Sequence, residues 1–156
     1  MRARFFLIVT SIALLAACGR EPEEAALAPS ILGPKVFQAR CAICHGPSGQ
    51  GLPGLCPPQA GSPIVLGNAR TVARIALFGL HGKITILGKE FDGQMPAWNS
   101  LSDAELSSVL TYIRGQWGNQ APPISAQQMR DWRAAEGART QPWTLEELQK
   151  LEAEGK

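Results

Sequence analysis

Cys41-Ala42-Ile43-Cys44-His45 reads C-x-x-C-H, and no other five residues of this chain constrain its fold as tightly. In one use of the pattern, two thiols three positions apart each add across a vinyl group of a haem, and the histidine that follows supplies an axial iron ligand. Cys41 and His45 stand at i and i+4, on one face of a helix, so a thioether and an imidazole address the same porphyrin. Two other readings exist: half of a zinc site, or a redox dithiol followed by an unrelated histidine. Zinc requires two further ligands, and outside the motif only His81 and the isolated Cys18 and Cys56 offer themselves. A thioredoxin-like dithiol requires a βαβ setting, which the pattern along this chain does not suggest.

Haem iron with one histidine has a second axial position. After residue 45 the side chains able to fill it are Met95, Met129, His81, Cys56 and the lysines. Met95 is the expected ligand: it lies 50 residues after His45 in Gly93-Gln94-Met95-Pro96, where glycine lets the chain turn and proline stiffens it. His81 follows a helix end and reads as surface, and Met129 reads as packing. A thioether opposite imidazole favours ferrous iron, which points to a carrier of high potential. Six-coordination also leaves no open position for peroxide or oxygen, so no catalytic residue is expected.

The N-terminus carries an address. Arg2 and Arg4 precede the apolar run Phe5–Leu15, too short for a permanent span, and Leu15-Ala16-Ala17-Cys18 follows. This resembles the lipobox of bacterial lipoproteins, so residues 1–17 are expected to be a signal peptide and Cys18 the lipidated first residue. Multiple acyl chains at about 0.8 kcal/mol per buried CH₂ make such an anchor effectively permanent. Residues 18–32 then read as a lipid-anchored linker, of which 19–32, fully extended at about 3.3 Å per residue, would reach roughly 45 Å. Loss of Arg2 and Arg4 lowers the basic residues from 15 to 13, equal to the 13 acidic ones, so nucleic-acid binding has no electrostatic support. Cys56 is left over and is expected to be a buried small hydrophobe, with a disulfide or a reactive thiol as alternatives.

Along the chain, Gly33-Pro34 opens a helix carrying Gly33, Phe37 and Cys41 on one face. The Gly- and Pro-rich stretch 46–61 reads as a loop. Asn68 caps a helix over about 69–78, and residues 83–91 suggest a small hairpin or extended excursion, followed by loop to Trp98. Ser102 and Glu105 form a capping box for a helix with Leu106, Val109, Leu110, Ile113 and Trp117 as its apolar stripe. Beyond Pro122-Pro123, Ser125/Gln128 and Thr144/Glu147 cap two short helices near 126–136 and 145–154.

Taken together, Gly33, Phe37, Cys41–Gly46, Pro57-Pro58, Gly61-Ser62, Gly93–Trp98 and Leu101–Gly118 resemble a class I c-type cytochrome of the bacterial type. The segment from Gly82 to Phe91 and Thr111–Arg114 are similar to haem domains found with quinoprotein dehydrogenases and haem–copper oxidases. Cys56 departs from that pattern, which commonly has an aromatic or aliphatic residue there. The resemblance implies an all-α cytochrome c domain at 33–118 around one covalent haem c, with a helical extension at 119–156. It implies single-electron transfer with redox protein partners, a dehydrogenase or a terminal oxidase, and no small-molecule substrate. Attachment would be by Cys41 and Cys44 and ligation by His45 and Met95; with the anchor at Cys18 the protein is expected to be exported and held on a membrane, facing the periplasm or at the outer membrane surface. A fixed subunit of a larger complex, or less readily a haem sensor or peroxidase, are the other functions considered.

Overall fold

The structure, a computed structural model, describes residues 28–156, so the signal segment, Cys18 and most of the linker lie outside the described residues. In chain order it contains α1 (Pro29–Val36), a π-helical turn (Phe37–Cys41), α2 (Ala42–His45), α3 (Pro63–Leu66) and α4 (Ala69–Phe78). These are followed by β1 (Leu80–Ile86), β2 (Lys89–Met95), α5 (Asp103–Gly115), α6 (Ala126–Ala135) and α7 (Leu145–Ala153).

The first helix starts inside the segment read as linker, because Pro29 occupies a first-turn position where no amide bond is lost. It runs into the π-turn, in which the Ala42 N–H donates back to the Phe37 carbonyl. The wider turn replaces the regular four-residue spacing expected for Gly33, Phe37 and Cys41. Gly33 still serves close approach: a Cβ there would stand 2.5 Å from the Ser108 carbonyl oxygen of α5. Phe37, wholly buried, packs at 5.5 Å from the Tyr112 ring and 5.0 Å from the Trp117 ring.

Local capping signals decide the next helices. The Asn68 side chain accepts the Arg70 amide at the start of α4, and Ser102 with Glu105 closes a capping box on α5. Helix α5 ends at Gly115, two residues before the expected Trp117. That tryptophan takes a left-handed φ of 55° beyond the helix and packs against Phe37.

The all-α expectation is overturned. β1 and β2 form an antiparallel pair with Leu80 opposite Met95 and Ile86 opposite Lys89. Leu87 and Gly88 connect them with φ of 50° and 74°, both positive as a two-residue type I′ turn requires. Ile84, Thr85 and Ile86 favour extended backbone, and alternation buries Ile84 and Ile86 while Lys83 and Thr85 face outward. The sheet also reaches further than the hairpin read from sequence, through Leu80 and through the supposed loop at Gly93–Met95. Gly82 and Gly93 sit directly opposite each other, so the residues that looked like loop are strand.

Two apolar cores result. The first gathers α1, the π-turn, α4 and α5, with Met129 of α6 fully buried in it. The second lies between the hairpin and the C-terminal segment: Ile75, Leu80, Ile84, Ile86 and Phe91 pack with Trp143 and Leu148. Capping boxes at Ser125/Gln128 and Thr144/Glu147 start α6 and α7 as read from sequence. Among the described residues no helix is long and apolar enough to cross a membrane.

Candidate functional site

Between the two cores runs an apolar cleft. Its walls come from α4 (Val72, Ile75, Ala76), α5 (Leu106, Val109, Leu110, Ile113) and the hairpin (Leu80, Ile84, Ile86). His45 and Met95 both line it, and an adjoining lobe shares them along with Pro57, Leu80, Ile84 and Trp98. Cys41 lines the first lobe and Cys44 the adjoining one. The four residues singled out around the motif and the methionine loop thus meet at one place.

His45 is fixed by its backbone and its ring. It ends α2, where Gly46 turns the chain with φ 71°, and its Nδ1 lies 3.0 Å from the Pro57 carbonyl oxygen. A carbonyl only accepts, so Nδ1 carries the proton and Nε2 keeps its lone pair for a metal. Burial holds the imidazole below its ordinary range, with the Pro57 bond opposing it more weakly. The neutral ring a ligand needs is therefore the favoured form near pH 7. At Cys41, burial first and Cys44 second push the thiol up to about 11, so it stands protonated.

Met95 closes β2. Its carbonyl oxygen lies where a Cβ on Gly79 would come within 2.5 Å, so only glycine at the end of α4 admits this crossing. The Trp98 amide donates to the Ala76 carbonyl at 2.8 Å and ties the other side of the loop to α4. The remaining ligand candidates sit elsewhere. His81 is exposed on β1 and does not line the cleft, and Met129 is buried beneath α6. Cys56 is half-buried rather than core, and its thiol is raised by burial and by Cys44 beside it. A zinc site finds no ligand set: among the described residues no three His, Cys, Asp or Glu side chains converge.

Sequence reasoning missed several residues that shape the cleft. Gln59 lines it, and its buried Oε1 has no hydrogen-bond partner. Asn119 clamps the loop before α3 to the end of α5, donating to the carbonyls of Gln59 (3.1 Å) and Ile113 (2.8 Å) and accepting the Gly61 amide at 2.8 Å. Buried Arg114 donates to the carbonyls of Val65 (2.6 Å), Gly67 (3.1 Å) and Pro122 (3.0 Å). Polar residues with such partners leave no periodic mark in a sequence.

These residues fit a haem. The cleft is broad and apolar, its rim carries two thiols, and a neutral imidazole and a thioether line it. The buried Gln59 Oε1 on that wall has no donor within the protein, which leaves one acceptor unsatisfied at the cleft.

Comparison with known proteins agrees with this chemistry. Residues 32–113 match the family model described as "Cytochrome C oxidase, cbb3-type, subunit III". Cytochrome c-552 of Thermus thermophilus is 33% identical over 125 residues, covering 78% of this chain and 84% of the relative. The cytochrome c subunit of the quinone alcohol dehydrogenase of Gluconobacter oxydans is 35% identical over 91 residues, 58% of this chain but only 19% of that subunit. The gluconate 2-dehydrogenase cytochrome c subunit of Pantoea cypripedii is 32% identical over 91 residues, 21% of its length.

Proposed function

This chain belongs to the c-type cytochromes that share the haem domain of that family model, and from this premise we propose that it is a single-haem, lipid-anchored carrier of single electrons on a bacterial membrane surface. It is an electron-transfer haem protein. The observation that carries the finer reading is the meeting of His45 and Met95 on one cleft whose rim holds Cys41 and Cys44. When bound, the haem supplies a one-electron ferric/ferrous couple.

The chain's own residues do the rest. Cys41 and Cys44 would hold the group covalently, and His45, oriented by Pro57, would ligate its iron. Met95 would be the second protein ligand and, as a soft thioether, would favour the reduced form. The apolar walls exclude water, which limits reorganisation when charge changes. Around the motif Ile43 is 82% exposed and Leu55 66%, giving the rim a surface that a redox partner desolvates cheaply. Both ligands being protein side chains, the reading is of a carrier and not an enzyme.

Cys18, modified with lipid, would tether the domain to a membrane through the segment before α1. A second reading, a fixed electron-transfer subunit of a dehydrogenase or oxidase, is favoured by the likeness to dehydrogenase cytochrome subunits, and co-purification of a partner enzyme would support it.

The test is a redox titration of the protein expressed with haem-attachment machinery, beside fractionation of wild type and Cys18→Ala. We expect a one-electron wave with one haem per chain, and a wild-type protein in the membrane fraction that the variant releases. Reduced protein that binds carbon monoxide readily would instead favour a sensor or peroxidase. Cys56→Ala should leave the haem-bearing intact mass unchanged apart from the substitution itself; loss of a thioether in that variant would mean Cys56 takes part in attachment.

A further inference from the structure

We propose that Trp143, in the C-terminal segment, is a positioning residue for the iron ligand Met95, acting as a third strand on the far side of Leu80. The inference rests on the reading of Met95 as a ligand. Trp143 pairs in parallel with Leu80: its N–H donates to the Gly79 carbonyl at 3.0 Å, and its carbonyl accepts the His81 amide at 2.9 Å. In an extended strand the backbone groups of Gly79 and His81 point one way and those of Leu80 the other. On that other side Leu80 is paired with Met95. Met95 thus ends the hairpin one residue-width from a residue contributed 48 positions later in the chain.

The ladder is short, so something must hold Trp143 in it. Its ring is 5% exposed, in the core shared with Ile75, Leu80, Ile84 and Leu148. The Arg139 guanidinium lies 3.3 Å from the ring centroid and the Arg74 guanidinium 5.6 Å. The ring's Nε1 has no hydrogen-bond partner, so shape and cation contact, not a polar bond, do the holding. Without the ring, residues 79–81 lose their outer partner, and the strand that carries Met95 pairs with a β1 start fixed only by α4.

A methionine held this way leaves the iron rarely. An external ligand such as imidazole binds ferric haem through the state in which the methionine has moved away, and its apparent affinity scales with the population of that state. Loosening the brace raises that population without touching the iron, the cysteines or His45.

The experiment is an imidazole titration of the full-length ferric holoprotein, with the far-red methionine-to-iron charge-transfer band recorded at each point. Four proteins are compared: wild type, Trp143→Ala, Trp143→Phe and Met129→Ala. Trp143→Ala should bind imidazole about tenfold more tightly and show a weakened band. Trp143→Phe keeps the ring packing and gives up no hydrogen bond, so it should behave as wild type. Met129→Ala empties a buried site in the other core, lowering thermal stability with imidazole affinity unchanged. If Trp143→Ala matches wild type in affinity and band, or if Met129→Ala shifts them equally, the positioning role is overturned. A wild-type protein with no far-red band at all would overturn Met95 ligation, and the brace with it.

Discussion

Met95→Ala should lose the far-red charge-transfer band of the ferric protein and bind carbon monoxide once reduced. Its midpoint potential should fall by about 120 mV or more, a roughly hundredfold change in the ferrous-to-ferric ratio for a one-electron couple. Among the described residues Met95 is the only methionine lining the cleft that also holds His45, and alanine at that position has no atom able to coordinate. Water or an added ligand then takes the position, and ferric iron gains over ferrous because the soft sulfur is gone. The backbone of residue 95 keeps its pairing with Leu80, so the effect should be on the iron and not on the hairpin. A variant whose spectrum and potential match the wild type would mean that another side chain ligates, and the exposed His81 would have to move by a strand rearrangement to do so.

Much of this site is legible because its signals are local. C-x-x-C-H brings its chemistry within five residues, and the caps at Asn68, Ser102, Ser125 and Thr144 each form between a side chain and an amide two or three positions on. What the sequence hides is pairing between distant segments. The residues after the helix over about 69–78 read as its end, yet Leu80 to Gly82 continues as strand because Gly93 to Met95 lies opposite. Gly93 to Met95 read as a loop for the same reason, since nothing in their own neighbourhood announces a partner, whereas Pro96 is loop as expected. The π-turn before Cys41 has no composition of its own, so regular helical spacing was the natural expectation. Cys56 reads as a buried thiol because it is left over once the motif and the anchor are assigned, whereas its pairing with Leu52 in a tight loop leaves it half in solvent beside Cys44.

The C-terminal segment is the clearest case of information carried between distant residues, and the expected result there is a large loss of stability. Glu136→Ala should lower the unfolding free energy by about 3 kcal/mol or more, measured by denaturant titration of the holoprotein. Glu136 lies just past α6 and accepts from Arg74 Nε at 2.8 Å and from Arg70 at 3.0 Å. The Arg74 side chain is only 2% exposed, so removing its carboxylate leaves a cation buried with the Lys156 carbonyl and the Trp143 ring as its remaining polar contacts. The cost comes from the stranded charge and not from the strength of the pair itself, and this separates two outcomes. A protein with both Arg74→Met and Glu136→Met should recover most of the loss, since neither charge is then left alone and Arg70 is exposed enough to be hydrated. If the double replacement is as unstable as Glu136→Ala, the ion pair contributes net stability and the stranded-charge account fails. Either way the far-red band is the more telling readout, because Arg74 also faces the ring of Trp143. If Glu136→Ala weakens the band while leaving His45 and the cysteines untouched, the ionic cluster and the Met95 strand are joined through that one tryptophan. An unstable protein with an intact band would confine the cluster to fastening the segment onto α4.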